Sequence, residues 1–402
     1  MQKGRTDWAA WVKDHRWSVL AAGAAIQLFT GIPAAWGVFQ PSVQQEYGFE
    51  ESTASMAFYL LISAFGVGSV LGGWLGDKKG PRTAAYLGSA LVTGGFVAAG
   101  FVPAERPWLF YLLFSVPVGM GCAFLYPAVM TCAQHWYAQK KGLATGVIGL
   151  AVGLSGGALT LLVRFVGQRW GIRVCFWVLA GIIGLLCGIG SFFLVLPKGR
   201  GAEQDKGRSL RPGQMLKTRQ YWILLVIVAM ATPSVLLFSP QIVELAQQRG
   251  LEEQAAYWAV VIGSACSALG RLSVTWLSDR IGRRRADRWV YGALTLLSIG
   301  FIWTKGYWLL AGYGALTFFY AAQGALLPSL STDLFGMKFA GVNYGFVALG
   351  MTAGSLGFGL VSTGWESMLL RHLVAVGASL LGFGLLFALR PVKQVGNAEN
   401  TQ

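Results

Sequence analysis

The chain has 402 residues, of which 12% are charged and 54% are hydrophobic. An ordinary soluble domain is about 25% charged, so this composition excludes a typical soluble enzyme, and it also excludes disordered and coiled-coil proteins, which need charge. The 55 glycines and 16 tryptophans fit a polytopic membrane protein, where glycine permits close helix contacts and tryptophan lies at the interfaces. In such a protein, a net charge of +15 indicates basic cytoplasmic loops rather than nucleic-acid binding.

The apolar segments predict twelve transmembrane helices, because about 20 apolar residues cross the hydrocarbon core. The first segment has a basic flank, with Lys13 and Arg16, but no small-residue cleavage site, so we expect a first span rather than a signal peptide. In chain order the predicted spans are residues 17–38, 56–76, 84–102, 108–134, 142–164, 172–196, 221–247, 256–278, 289–304, 308–332, 341–364 and 368–389.

The lysines and arginines predict the orientation of these spans. Of the 32 basic residues, 24 fall on the side of the N-terminus and 7 on the opposite side. Since cytoplasmic loops carry the excess of basic residues, we expect both termini in the cytoplasm and the chain in the inner cell membrane. The loop between spans 5 and 6 fits least well, because it places Arg164, Arg169 and Arg173 on the outer side.

The five cysteines indicate neither a disulfide framework nor a metal site. All of them fall within or at the ends of predicted spans, their number is odd, and their spacing is unlike that of metal ligands. We therefore expect buried free thiols, no metal and no cofactor.

The chain is internally duplicated, which is typical of two related halves. GWLGDKKGPR at 73–82 recurs as TWLSDRIGRR at 275–284, and Pro127 and Pro33 have counterparts in Pro328 and Pro233 about half the chain later. This predicts a six-helix bundle at 1–196, a basic cytoplasmic linker at 197–219 and a second six-helix bundle at 220–402.

With its G-x-L-x-D-x-x-G-x-[KR] loop, present in two copies, the chain resembles the major facilitator superfamily. The first copy has Gly73, Asp77, Gly80 and Arg82; in the second copy Thr275 replaces the first glycine. Finer motifs resemble the oxalate/formate antiporter family and the related monocarboxylate transporters; they are AWGVF (35–39), WYAQKKGLATG (136–146), QMLKTRQYW (214–222), SDRIGR (278–283), PSLSTDLFG (328–336) and NYGF (343–346). The resemblance covers spans 1 to 11 and the linker, and it implies an all-α membrane protein in which two six-helix bundles are related by pseudo-symmetry.

The duplicated loop is interpreted as a gate, as the resemblance implies a clasp between the halves on the cytoplasmic side. Glycine allows close backbone approach, and a carboxylate can accept from a helix N-terminus or an arginine. The alternative is that these loops serve only as topogenic charge. The residues assigned to the clasp are Gly73, Asp77, Gly80, Arg82, Asp279, Arg283 and Arg284.

One basic residue, Arg271, is left inside a span. It lies eight residues before Asp279, which places it roughly 12 Å inside span 8 at about 1.5 Å per residue. A charge at that depth costs at least ~2.5–3.5 kcal/mol, and the sequence offers no Asp or Glu clearly inside a span; the nearest is Glu244, close to the outer end of span 7. We therefore expect an anionic substrate as its partner, because guanidinium presents a bidentate fork to a carboxylate. The alternative is an arginine that bonds backbone carbonyls or snorkels to the inner surface.

The resemblance implies that Arg271 engages the substrate carboxylate, as an arginine at this place of span 8 does in those transporters. The chain departs from the oxalate/formate pattern at three positions: Met351 stands where that family has a second cation, and Gly324 and Ala348 replace two aromatics. One cation suits one carboxylate, so a monocarboxylate in a larger, more apolar pocket is expected. Ser267 stands where monocarboxylate transporters often have an aspartate, which leaves the proton-carrying group open.

Other polar or aromatic residues near the midplane complete the predicted substrate site. Tyr126 matches a substrate-contacting tyrosine of the family, and the aromatic Tyr320 is kept in span 10. Gln27, Thr30 and Gln323 are further candidates, with helix–helix hydrogen bonding as the competing interpretation. Breaks or bends at the prolines of spans 1, 7 and 10 offer backbone carbonyls to a cavity, or simply bend the helices.

These patterns predict a monomeric secondary transporter of small monocarboxylates such as lactate or pyruvate, working by alternating access with protons as the coupling partner. The alternatives are a carboxylate anion exchanger of the oxalate/formate kind and a facilitator or exporter of another small molecule. A membrane enzyme is disfavoured, because the spans lack paired carboxylates, a Ser/His/Asp set and a metal cluster. A sensor would need an output domain, which neither the linker nor the short tail provides.

Overall fold

The computed structural model of the protein describes residue 12 and residues 15–197, 209–363 and 367–390. Within these residues, the chain forms twelve helical segments, which we number α1 to α12. Their bounds are α1, Trp17–Thr30 and Trp36–Tyr47; α2, Glu51–Lys79; α3, Pro81–Ala99; α4, Pro107–Trp136; α5, Lys141–Leu162 with a π turn Val163–Gly167; α6, Gln168–Phe192; α7, Arg219–Gln248; α8, Glu253–Ile281; α9, Arg283–Phe301; α10, Tyr307–Phe335; α11, Ala340–Thr363; and α12, Met368–Ala388.

Seven helical stretches of the described chain are each long and apolar enough to cross a bilayer on their own. One of them, Ala138–Phe192, contains both α5 and α6, because Gly171 leaves the helical conformation at φ 82° and divides it. Of the remaining helices, α1 is broken, α9 begins with a charged turn, and α3 and α11 are rich in glycine and alanine. The position of these four helices in the membrane therefore depends more on packing against neighbouring helices than on their own hydropathy.

The helix positions agree with the twelve predicted spans, but several helices run further. α1 continues to Tyr47 rather than ending near residue 38, and α2 covers Glu51–Lys79 rather than 56–76. α6 ends at Phe192, four residues before its predicted end, and α9 begins at Arg283 rather than at residue 289. Hydropathy marks the apolar middle of a helix, whereas hydrogen bonding continues into the polar flanks.

Of the three prolines expected to break or bend helices, two lie at breaks. Pro33 lies in a 3-10 turn, Ile32–Ala35, that divides α1, and Pro233 follows the end of the first part of α7 at Ala231. Proline lacks an amide hydrogen and clashes with the preceding turn, which favours a break. Pro328, by contrast, lies inside the continuous helix α10.

The turns of the duplicated loop have the same backbone conformation. Gly80 and Gly282 have φ values of 92° and 90°, a conformation that side-chain-bearing residues rarely adopt. Each turn joins two helices of one half, α2 to α3 and α8 to α9. We call the end of the molecule that carries these two turns the motif side, and the other end the opposite side.

The two halves meet along two glycine-lined helix pairs. Between α2 and α11, a Cβ placed on Gly73 or on Gly345 would collide with the backbone of the partner helix. Between α5 and α8, the facing positions are Gly142, Gly146, Gly149 and Gly153. Small residues let helix backbones approach closely in a membrane, so both interfaces are closed toward the motif side.

A third contact joins the halves toward the opposite side. The Gly37 position in α1 packs against Ser239 and Ile242 of α7, where an added Cβ would lie 3.0 Å from the Ser239 carbonyl oxygen. The halves therefore touch on both sides of the midplane, and the space that they enclose lies between these contacts.

The predicted linker, residues 197–219, falls partly outside the described residues. Its described end contains a short helix, Pro212–Met215. Just before it, the amide of Leu210 donates to the Phe335 carbonyl, and the Asn343 side chain donates to the Leu210 carbonyl. This part of the linker is thus fixed to α10 and α11.

Candidate substrate site

A cavity of about 190 Å³ lies between the two halves near the midplane. Helices α1, α2, α4 and α5 line it from the first half, and α7, α8, α10 and α11 from the second. All six residues predicted for the substrate site line this one cavity; they are Arg271, Tyr126, Tyr320, Gln323, Gln27 and Thr30. The structure therefore brings together residues that lie as far apart in the sequence as Gln27 and Gln323.

Arg271 is the one charged residue among the described residues that line the cavity. Its side chain is half-buried, and its Nε donates to the hydroxyl of Ser267, one turn earlier on α8, at 3.4 Å. A Cβ on Gly149 of α5 would lie 3.0 Å from the Cβ of Arg271, so the arginine stem lies directly on the glycine surface of the facing helix. Within the described residues its guanidinium has no carboxylate partner.

Three tyrosines surround the guanidinium. The hydroxyl of Tyr126 on α4 lies within interaction range of Arg271, and the ring of Tyr126 lies 5.9 Å from that of Tyr344 on α11. Tyr320 on α10 lines the same cavity as Arg271. Hydroxyls next to a guanidinium can donate hydrogen bonds to the oxygens of an anion that the arginine holds.

A second polar group lies on α1. The Thr30 hydroxyl is 3.0 Å from the Ile26 carbonyl and 3.3 Å from Oε1 of Gln27. The Gln27 Nε2 atom is buried, and among the described residues it has no hydrogen-bond partner; the same is true of the Ser264 hydroxyl on α8. Because buried donors are normally satisfied, these two atoms mark places where a bound molecule can accept or donate.

The three positions that depart from the oxalate/formate pattern do not behave alike. Met351 and Gly324 line the cavity, as does Ser267, whereas Ala348 is fully buried and does not reach it. The space beside Arg271 is therefore bordered by a thioether and a glycine where a second cation and an aromatic ring were expected from the family pattern.

Asp77 joins the two halves at the motif side. Its carboxylate accepts from the backbone amides of Gly341, at 3.2 Å, and Val342, at 2.9 Å, in the first turn of α11. Gly73, one turn earlier on α2, lies against the backbone of Gly341 and allows this approach. A carboxylate at a helix N-terminus satisfies amides that have no partner within the helix.

Asp279, the second-half counterpart of Asp77, is placed differently. It lies against Gly142 in the first turn of α5, and its Oδ1 also accepts from Arg283 at 3.0 Å. Arg283 in turn pairs with Asp333 at the end of α10. The second clasp is thus an ion-pair group, whereas the first is a cap of backbone amides.

Two of the predicted clasp residues lie away from the boundary between the halves. Arg82 donates to the Phe192 carbonyl of α6 and lies over the Phe192 ring, inside the first half. Arg284 donates to the Leu389 carbonyl after α12, inside the second half, at 3.5 Å. Both arginines brace the duplicated turn within its own bundle.

Sequence reasoning missed Tyr344 as a cavity residue, although it lies within the quoted NYGF motif. It is seven residues, or two turns, before Met351 on the same helix. That spacing places both on one helix face, so the signal was present in the sequence.

The helix α9 contains a buried acid that the predicted span 289–304 left out. Asp287 is in α9, which begins at Arg283, and it is only 1% exposed. The arginine-rich first turn of α9 lowers the local hydropathy, so the predicted span started at residue 289 and excluded it. A buried carboxylate is therefore present in the second half.

Comparison with known proteins agrees with the fold. The sequence model of the Major Facilitator Superfamily matches residues 19–360. The oxalate:formate antiporter of Oxalobacter formigenes is 27% identical, over 98% of this chain and 97% of its own length. Monocarboxylate transporter 13 of Bos taurus is 25% identical, over 65% of this chain and 61% of its own length. The solved structure of the proton:xylose symporter XylE superposes with a TM-score of 0.75 at 13% identity, covering 92% of this chain and 94% of the symporter.

Proposed function

Since the chain belongs to the Major Facilitator Superfamily, we propose that it carries small carboxylate anions by alternating access of its two halves. It is a multi-pass membrane protein and a secondary transporter rather than an enzyme. The substrate, the coupling and the orientation are the parts that we propose.

Arg271 is the observation that carries the proposal. A guanidinium that lines the cavity and has no carboxylate partner among the described residues leaves a positive charge that a bound anion can neutralise. The tyrosine hydroxyls around it and the fork of the guanidinium favour an oxyanion over a halide. The relation to an oxalate:formate antiporter supports the same class of substrate.

The cavity favours a small monocarboxylate. At about 190 Å³ it is smaller than the roughly 300–1,000 Å³ of sites for drug-sized ligands, and Arg271 is the one cation among its described lining residues. We propose formate, lactate and pyruvate as members of the substrate class. In the two larger acids, the oxygen on the second carbon faces Gln27 or Ser264.

Anion exchange is the transport mode that we favour. The relative of matching length is an antiporter of two carboxylates, and one empty cationic cavity can be refilled from either side by another anion. Proton-coupled net uptake is a second mode open to the same carrier, because the second half contains a buried carboxylate, Asp287.

We further propose that the motif side is cytoplasmic, with both termini there, because most of the basic residues lie on that side. The gate on that side consists of Asp77 with α11, and of Asp279 and Arg283 with α5. One chain encloses the whole cavity, so a monomer is the proposed transport unit. The proposed halves are residues 1–196 and 220–402, joined by the linker 197–219.

Exchange in proteoliposomes tests the proposed function. Vesicles that contain the purified protein and unlabelled lactate should take up labelled lactate, formate or pyruvate, while vesicles without an internal anion should take up much less. Protein-free vesicles report leakage of the free acids. The rival facilitator predicts that carboxylates fail to compete with the true substrate and that Arg271→Ala keeps transport, and that result would reject our proposal.

A further inference from the structure

Asp287 is the buried acid that the proposed substrate site does not use. It lies near the start of α9, is 1% exposed, and its Oδ1 atom has no hydrogen-bond partner among the described residues. Leaving a carboxylate charged in such a place costs free energy that protonation removes. A structural carboxylate would be expected to have a cation or amide donors beside it.

Four arginines lie within about one turn of Asp287; Arg285 is exposed, and in the described structure the other three are each directed to another group. Arg283 pairs with Asp279 and Asp333, Arg284 donates to the Leu389 carbonyl, and Arg288 lies over the Phe387 ring. The acid is thus surrounded by cations in sequence but not paired with them in space.

The helices packed against α9 add titratable groups of their own near this end, and these too are engaged elsewhere or exposed. On α8, Arg280 lies over the ring of Trp276. On α7, Tyr221 donates to the Phe346 carbonyl. Arg390, which follows α12, is exposed. On α10 the groups are Asp333, already paired with Arg283, and Tyr320.

A line of tyrosines leads from Asp287 to the cavity. Tyr291, one turn further along α9 and on the same helix face as Asp287, is fully buried. Its hydroxyl donates to the Ile227 carbonyl of α7. Tyr320 on α10 lines the cavity together with Arg271. Because α9 packs directly against α10, the buried acid is one helix away from the substrate site.

We propose that Asp287 is a proton-binding site that couples proton movement to carboxylate transport. The carboxylate takes up one proton from water on one side of the membrane and releases it to water on the other, and no other bond forms or breaks. When Asp287 is neutral, the charges of Arg271 and the bound anion cancel. When Asp287 is ionised and the anion is bound, two negative charges share the one arginine of the cavity, and one of them is left unpaired. Binding of substrate and of the proton therefore favour each other.

The inference rests on the proposed carboxylate transport, so the experiment separates the two. Proteoliposomes are assayed for lactate exchange without a pH gradient and for net lactate uptake with an imposed gradient. One proton per lactate supports roughly tenfold accumulation for a gradient of about one pH unit, because both represent the same free energy. We expect the wild type to show both activities and Asp287→Asn to keep exchange but lose accumulation. Ser298→Ala, at a buried unpartnered hydroxyl of the same helix, should keep both.

Gradient-driven accumulation by Asp287→Asn at the wild-type level would overturn the inference, as would a wild type that exchanges lactate but ignores the gradient. Absence of any carboxylate exchange by the wild type would reject the proposed function instead. If Asp287→Asn lost exchange as well, a pH-indicator dye would decide the matter in detergent solution. Addition of lactate should then cause proton uptake by the wild type and none by the variant; equal proton uptake by both would overturn the inference.

Discussion

The carboxylate of Asp77 in the first half accepts a hydrogen bond of 2.9 Å from the backbone amide of Val342 in the second half. It also accepts from Gly341, at 3.2 Å, so one side chain satisfies two amides at the start of α11. No side chain of α11 takes part in this contact. The closed motif side therefore depends on the acid and on the exposed helix end, and it requires glycine at 341, where an added Cβ would lie 2.8 Å from Oδ1 of Asp77.

Removing this carboxylate should open the motif side. Hydrogen bonds to a charged group contribute about 1.5–3 kcal/mol each at most, so Asp77→Ala should shift the population toward a state open on that side. Cys122 lines the cavity and supplies a native probe. In a chain whose other four cysteines are replaced, an impermeant thiol reagent applied from the motif side should label Cys122 faster in the variant.

Glu46→Gln is the matched control for this measurement. Glu46 is a carboxylate of the same half that pairs with Arg173 on the opposite side, at 2.6 Å. Its removal changes the charge equally but leaves the motif side intact. Equal labelling rates in Asp77→Ala and in the wild type would show that the cap does not hold the gate.

Replacing the guanidinium by an amine should weaken carboxylate binding while the charge stays. Arg271→Lys loses the bidentate fork, and the loss of a charge-assisted hydrogen bond is worth roughly 1.5–3 kcal/mol, or about ten- to a hundredfold in affinity. The measurement is the thermal stabilisation that formate, lactate, pyruvate and oxalate give to each variant.

Arg280→Lys provides the control on the same helix, since Arg280 lies over the ring of Trp276 and does not line the cavity. Stabilisation by the carboxylate panel should be unchanged there. Undiminished stabilisation of Arg271→Lys by every acid would contradict bidentate recognition.

The glycine surface of α5 should control the position of Arg271. A methyl group at Gly149 would lie 3.0 Å from the Cβ of Arg271 and 3.4 Å from its Cδ, whereas a methyl group at Gly157 of the same helix would meet no atom within 4 Å. Alanine favours a helix over glycine by roughly 0.5–1 kcal/mol, so Gly157→Ala should raise the melting temperature.

Gly149→Ala should instead show weaker lactate binding and slower exchange, because the arginine stem must shift. The two variants are compared in melting temperature and in lactate exchange rate. Equal melting temperatures and equal lactate exchange rates in the two variants would mean that α5 can accommodate a methyl group next to Arg271 without moving the arginine.

The free amide of Gln27 should distinguish substituted from simple acids. If its Nε2 donates to the oxygen on the second carbon of lactate or pyruvate, Gln27→Leu removes a bond worth about 0.5–1.5 kcal/mol. Affinity for these acids should fall, while affinity for propionate, which lacks that oxygen, should stay the same.

Ser155→Ala is the control. The Ser155 hydroxyl is also buried near α1 and has no hydrogen-bond partner among the described residues, but Ser155 does not line the cavity. It should affect neither acid. A parallel loss of propionate and lactate affinity in Gln27→Leu would assign the amide to packing rather than to recognition.

Much of the fold could be predicted because hydropathy, basic loops and the duplicated motif agree about twelve helices. The cavity residues Arg271 and Tyr126 could also be predicted, since a charge at the midplane and a matching family position are visible in the sequence. Asp287 could not, because the run of three arginines at 283–285, which begins the helix, also excludes it from an apolar window.

The partners of the clasp arginines were beyond prediction for a different reason. Arg82 and Arg284 occupy equivalent places in the repeat, but each bonds a backbone carbonyl near a helix end of its own half. Backbone carbonyls are present at every residue, so no feature of the sequence marks the one that an arginine reaches.

The unequal chemistry of Asp77 and Asp279 makes the two copies of the motif respond differently to salt. The first acid is exposed but bound to two backbone amides, and dissolved ions screen such short contacts with backbone dipoles little. The second belongs to a group of formal charges that includes Arg283 and Asp333, with Asp333 exposed, where ions at physiological strength act over about 8 Å. Added salt therefore weakens the Asp279–Arg283–Asp333 group more than the contact of Asp77 with α11. At high ionic strength, we expect the two halves to rotate about the Asp77 contact, which stays formed.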